Sequence, residues 1–238
     1  MKMPKARAVV LLVYSGIVLT FLILYNVHLY SESVDDAWSF FYMFTFQTNI
    51  LVLVWLVTYG VTEFVGRDSK IARLARHPIL ITAFALYTTL LMTYIVLALS
   101  IGFHPVLRGF VILRDLHLIT SYFLTPFITW FLFFTETSGN YEIKKSFSVS
   151  LLLLIYPILY FTLNMMIGFN VNWSYAPVDE ETKYVPGGPA FAYPFLDPGF
   201  YPGITVFIIV MLSVLVVLCP LSFLLVKIKQ NQVRKTSC

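Results

Sequence analysis

Residues 204–226, ITVFIIVMLSVLVVLCPLSFLLV, run for twenty-three positions without one charged side chain. About 20 apolar residues in a helix cross a ~30 Å hydrocarbon core. The stretch is therefore read as a transmembrane helix, and five more segments follow the same reading: 8–27, 39–62, 79–101, 116–134 and 148–168. Strict alternation of apolar and polar residues is absent, so helices are expected rather than a barrel. The composition agrees. Of 238 residues, 59% are hydrophobic and only 12% charged, with mean hydropathy +0.82. A soluble domain carries about 25% charge. A soluble globular enzyme, a disordered chain and a disulfide scaffold are excluded. The expected class is all-α: one polytopic domain of six transmembrane helices.

Orientation follows from the loop lysines and arginines. Thirteen of the sixteen lie on one side: the N-terminus (Lys2, Lys5, Arg7), loop 63–78, loop 135–147 and the C-terminal tail. Arg108, Arg114 and Lys183 lie on the other. Both termini are expected in the cytoplasm of a multi-pass cell-membrane protein. The net charge of +4 reflects these loops and not a nucleic-acid partner. The first apolar run is longer than the hydrophobic part of a signal peptide and lacks a small-x-small cleavage site, so an uncleaved first span is expected. Cys219 and Cys238 are not expected to form a disulfide.

The outer side is acidic, and its largest piece is loop 169–202. That loop holds six of the twelve prolines and nine aromatic residues. It reads either as a lid or binding loop or as an interfacial aromatic belt.

No Asp, Glu, Lys or Arg lies near the middle of a span, which weighs against a proton-coupled pump. The polar residues gather in one leaflet instead. Thr45, Gln47, Thr48 and Asn49 fall in the outer half of span 2. His117, Thr120 and Ser121 open span 4, Asn164 closes span 5, and Asp197 lies in the loop above. At ~1.5 Å per residue, Thr45 sits about 9 Å below the outer end of its span. Thr45 and Asn49 share a helical face. A hydroxyl nucleophile needs a base, and neutral imidazole serves near neutral pH. Thr45 as nucleophile, His117 as base and Asn49 as a donor to a developing oxyanion make a hydrolytic set for an acyl-lipid ester entering from the bilayer. Gln47, Ser121, Asn164 and Asp197 are the accompanying binding residues.

Plainer readings stand beside this one. A threonine in a membrane helix commonly bonds its own i−4 carbonyl, and asparagines bridge helices. The same cluster also suits a non-catalytic binder or transporter, and polar residues lining the cytoplasmic half would favour that; few are visible in the sequence. A structural partner using the aromatic loop is a third reading. No zinc-protease motif, Cys/His cluster, P-loop or dinucleotide fingerprint occurs, so neither metal nor cofactor is expected.

Phe44-Thr45-Phe46-Gln47-Thr48-Asn49-Ile50-Leu51 resembles the Phe-Thr-x-Gln-Ser/Thr-Asn-Leu-Leu segment of a bacterial group of six-helix integral membrane proteins. Leu116-His117, then Pro126 and Trp130, resembles that group's Leu-His…Pro…Asp-Trp span. Tyr156-Pro157…Tyr160 and Tyr193-Pro194-Phe195-Leu196-Asp197 match as well, so the resemblance covers nearly the whole chain in order. The group is distantly similar to the androgen-induced and androgen-dependent membrane hydrolases of fatty-acid esters of hydroxy fatty acids. The resemblance implies Thr45 as nucleophile and His117 as its partner. Thr129 departs from it, standing where the group has Asp before Trp130.

Overall fold

A computed structural model describes residues 3–29, 44–66, 69–100, 116, 119–136, 146–170 and 204–237. The order is α1 (Met3–Leu29), α2 (Phe44–Val65), α3 (Lys70–Ala75), α4 (Pro78–Ser100), a π-helical turn (Ile119–Leu124) running into α5 (Thr125–Thr135), α6 (Ser146–Asn170) and α7 (Ile204–Ser237). No strand occurs among the described residues. Four helices are long and apolar enough to cross a membrane, over Lys5–Leu24, Phe44–Val65, Ser146–Leu163 and Val214–Lys235. Pro78–Thr93 and Ile119–Thr135 are shorter apolar helices. Helix therefore occupies each of the six apolar segments. The last runs to Ser237, well past the expected end at 226, and α3 was not foreseen. Most of loop 169–202, including Asp197, lies outside the described residues, as does Cys238; Cys219 is an exposed free thiol.

α4 is the axis of the bundle. Ile81 through Thr88 are buried on every side, the pattern of a helix enclosed by others. α4 packs against α2, α5, α6, α7 and the π turn. Trp55, Tyr59, Phe84, Leu86, Phe133, Leu153 and Leu225 belong to the core around it. α1 lies along α2 with a smaller core of Val18, Leu22, Phe46 and Leu53. Their backbones meet closely at Gly60, where a Cβ would come within 3.2 Å of the Leu12 side chain. Outward faces are apolar: Phe127 is 73% and Val216 70% exposed. Water would not tolerate such a surface, but acyl chains match it.

Helix ends follow local chemistry. Gly66 closes α2 at φ +114°, a conformation that costs a side-chain-bearing residue but not glycine. Ser69 Oγ caps α3 by accepting from the Ala72 N–H at 3.0 Å. Pro78 opens α4, where its missing N–H costs nothing. His77 Nδ1 accepts from the Ile79 N–H at 3.3 Å. Burial lowers the His77 pKa, in keeping with a neutral, accepting ring.

Two prolines shape the membrane-embedded backbone. Pro157 has no N–H for the Leu153 carbonyl four residues earlier. The Tyr87 hydroxyl of α4 donates to that carbonyl instead, at 3.1 Å. Near Pro126 the chain takes a π turn, and the Thr120 carbonyl accepts from the Tyr14 hydroxyl at 3.0 Å and the Thr125 hydroxyl at 2.9 Å. Proline is tolerated in lipid when a neighbour supplies the missing donor, as Tyr87 does at Pro157.

Tyr87→Phe strands a buried carbonyl and is expected to cost about 1–3 kcal/mol. In a Pro157→Ala background residue 157 regains its N–H, and the same change should cost far less. Equilibrium unfolding of the four proteins checks this; equal losses in both backgrounds would refute the assignment.

Candidate functional site

Two polar clusters sit at opposite ends of α2. Thr45 and Glu63 are eighteen residues apart in one helix, which places them roughly 27 Å from each other along its axis.

At the first cluster α2 turns Thr45, Thr48 and Asn49 into the bundle, where they are 6%, 0% and 1% exposed. None of the three faces lipid. Gln47, half-buried, accepts from the Tyr156 hydroxyl of α6 at 3.3 Å, and Thr48 Oγ1 lies 3.4 Å from the same oxygen. Tyr156 is thus the residue that brings α6 to this cluster. Its ring stacks on Phe44 at 5.5 Å and lies 5.1 Å from Tyr87. Many threonines here bond their own i−4 carbonyl, among them Thr58, Thr82, Thr88 and Thr129. Thr48 reaches across to another helix instead. Thr129, the departure from the resembled pattern, is buried and fully explained by its bond to the Thr125 carbonyl at 2.8 Å.

Asn49 commits one of its two amide hydrogens to its own helix. Its amide nitrogen donates to the Thr45 carbonyl at 2.8 Å. A carbonyl only accepts, so this contact fixes which end of the amide is nitrogen. The Asn49 Oδ1 that remains is buried and has no hydrogen-bond partner among the described residues. An orphaned buried acceptor calls for a donor.

Ser121 is fully buried in the π turn, beside Thr120. Of the other expected residues, His117 and Asp197 lie outside the described residues, and so does the side chain of Asn164. The structure therefore joins Gln47 and Thr48 to Tyr156 and Asn49 to the Thr45 backbone; it does not address the Thr45–His117 pair.

The second cluster corrects an expectation. The sequence offers few evident polar residues for the basic half of the bundle, yet a buried ionic network occupies it. Arg76, at the end of α3, places Nη1 2.9 Å from Glu136 and Nη2 2.7 Å from Glu63. Arg7 of α1 reaches the same Glu63 oxygen at 2.9 Å and the Tyr59 hydroxyl at 3.0 Å. Tyr59 donates to Glu136, and Thr62 Oγ1 accepts from Arg76 at 3.3 Å. The Arg76 guanidinium also stands over the Tyr59 ring, 4.4 Å from its centre, a cation–π arrangement. Burial opposes charge on Arg76, but Tyr59, Glu63 and Glu136 more than offset it and hold its pKa above the ordinary value. Fully buried Lys229 of α7 donates to the Phe133 and Glu136 carbonyls, placing a cation at the C-terminal end of α5. Arg7, Arg76 and Lys229 are thus more than loop charges that set topology. The usable sequence signal was Tyr59-x-x-Thr62-Glu63, a carboxylate with two hydroxyls at i−4 and i−1 at the C-terminal end of an apolar helix.

Comparison of the chain with protein-family profiles, curated proteins and solved structures finds no match.

Arg76→Met leaves Glu136 and Glu63 under-compensated and should destabilise by about 3–5 kcal/mol. Adding Glu136→Leu should recover part of that loss. Chemical unfolding of both variants measures it; a double variant no better than the single one would contradict a coupled network.

Proposed function

We propose that the Thr45 cluster is the reactive centre of an intramembrane lipid-ester hydrolase or acyltransferase in the cell membrane, with both termini in the cytoplasm. Thr45 Oγ1 attacks the ester carbonyl carbon while its proton passes to His117. The imidazolium returns that proton to the departing alcohol oxygen as the carbon–oxygen bond breaks. The acyl group, now an ester of Thr45, leaves on attack by water or by a second alcohol, whose proton the imidazole takes and hands to Thr45 Oγ1 as the bond between acyl carbon and Oγ1 breaks. The observation that supports this reading is the burial of Thr45, 6% exposed. Its hydroxyl belongs to the interior of the bundle, in company with Thr48 and Asn49, where water-poor surroundings strengthen every polar contact to a reacting ester. The substrate is an acyl lipid that enters sideways from the outer leaflet.

A specific observation favours a second reading, a non-catalytic binder of a small apolar or zwitterionic molecule. The Asn49 Oδ1 has no hydrogen-bond partner among the described residues, and it is an acceptor. It suits a ligand that brings an N–H or O–H donor.

The hydrolase reading expects a fluorophosphonate lipid probe to label wild type and Thr45→Ser, and to lose the label in Thr45→Ala. Absence of wild-type labelling, or equal labelling of Thr45→Ala, removes it. The binder reading expects Thr45→Ser and Thr45→Ala to behave alike, and Asn49→Leu to abolish the thermal stabilisation that added lipid extracts give the wild type. Retention of that stabilisation in Asn49→Leu would count against it.

A further inference from the structure

We propose that α3 is a docking element for the anionic phosphate headgroups of the bilayer leaflet on the basic side of the bundle. The six-residue helix Lys70–Ala75 divides its surface three ways. Ala72 and Ala75 are buried against the bundle. Ile71 and Leu74, one turn apart, are 62% and 64% exposed, and Phe64 and Val65 at the end of α2 are exposed as well. Lys70 and Arg73, also one turn apart, are exposed and enter no ion pair among the described residues.

The placement follows from the neighbours. α3 lies between α2 and α4, both apolar, and follows the Gly66 turn, where α2 ends. A segment there sits at the level of the headgroups. Alanines toward protein, Ile71 and Leu74 toward acyl chains, and two cations toward phosphate is the division an interfacial helix needs. Charge complementarity selects the occupant: two cations with no carboxylate partner among the described residues face a layer that carries negative phosphate.

The element is rigid. The Trp55 indole N–H donates to the Ala75 carbonyl at 2.8 Å, Ser69 caps the first turn, and Arg76 anchors the far end in the ionic network. Headgroup binding therefore requires little ordering of the protein, and a bound lipid contacts a segment covalently joined to Arg76.

The test uses the full chain in nanodiscs of phosphatidylcholine with and without phosphatidylglycerol. Native mass spectrometry counts the lipids retained by wild type, Lys70→Gln/Arg73→Gln and Arg234→Gln/Lys235→Gln. At about fivefold per basic side chain, the α3 double variant should lose its preference for phosphatidylglycerol by roughly 25-fold. Its thermal stability in phosphatidylcholine alone should match wild type, since both side chains are exposed. The tail variant should keep the wild-type preference. An α3 variant with undiminished preference, or a tail variant that loses as much, overturns the proposal. So does a wild-type dimer by mass photometry that Ile71→Ser/Leu74→Ser dissolves, because a second copy would then cover this face.

Discussion

The architecture depends on one constraint: backbone N–H and C=O groups that lie in hydrocarbon must find partners inside the protein. A helix meets it everywhere except where proline removes a donor. At Pro157 the freed Leu153 carbonyl is met by Tyr87, which ties α6 to the central helix α4. Close to Pro126 the Tyr14 and Thr125 hydroxyls converge on the Thr120 carbonyl, which ties α1 to the π turn. Tyrosine hydroxyls thus fasten helices together near both prolines, and at Pro157 the bond also replaces the missing helical donor. Water-driven burial does not operate between helices in lipid, so such bonds and close packing, as at Gly60, carry the assembly.

The ionic network obeys the same logic at the basic end. Bringing two arginines, two glutamates and a lysine out of water costs free energy, which mutual contacts recover only when every charge is well met. Here Glu63 meets both guanidinia, Glu136 meets Arg76 and Tyr59, and Lys229 meets two carbonyls at the end of α5. The network draws on α1, α2, the α3–α4 junction, the end of α5 and α7. It fixes their relative positions at one end and leaves the Thr45 cluster, about 27 Å away, to the less charged end. A polar half-bundle at the basic side is what a transporter reading asks for. In this structure, however, each carboxylate is engaged by arginine.

The π turn matters for the proposed chemistry. It adds about one residue to a helical turn relative to an α-helix, which shifts facing by roughly 100°. Positions upstream of Ile119 cannot be placed by counting back from Pro126 with a plain α-helical period. The turn has two faces: Thr120, Ser121 and Tyr122 are buried in the bundle, whereas Ile119, Phe123 and Leu124 are exposed on its outside.

Uncharged length and hydropathy determined the helical membrane character of this chain, because about 20 apolar residues in lipid have few other stable states. The polar face of Thr45, Thr48 and Asn49 was equally legible, since helical periodicity places those side chains together. What the one-dimensional pattern could not decide is which distant groups meet them. That Tyr156 joins Gln47 and Thr48, that Asn49 turns its nitrogen back to its own helix, and that Arg7, Glu63, Arg76, Glu136 and Lys229 converge all depend on helix rotation and pairing. Those are set by the simultaneous packing of several helices around α4, and no local property of the sequence contains them.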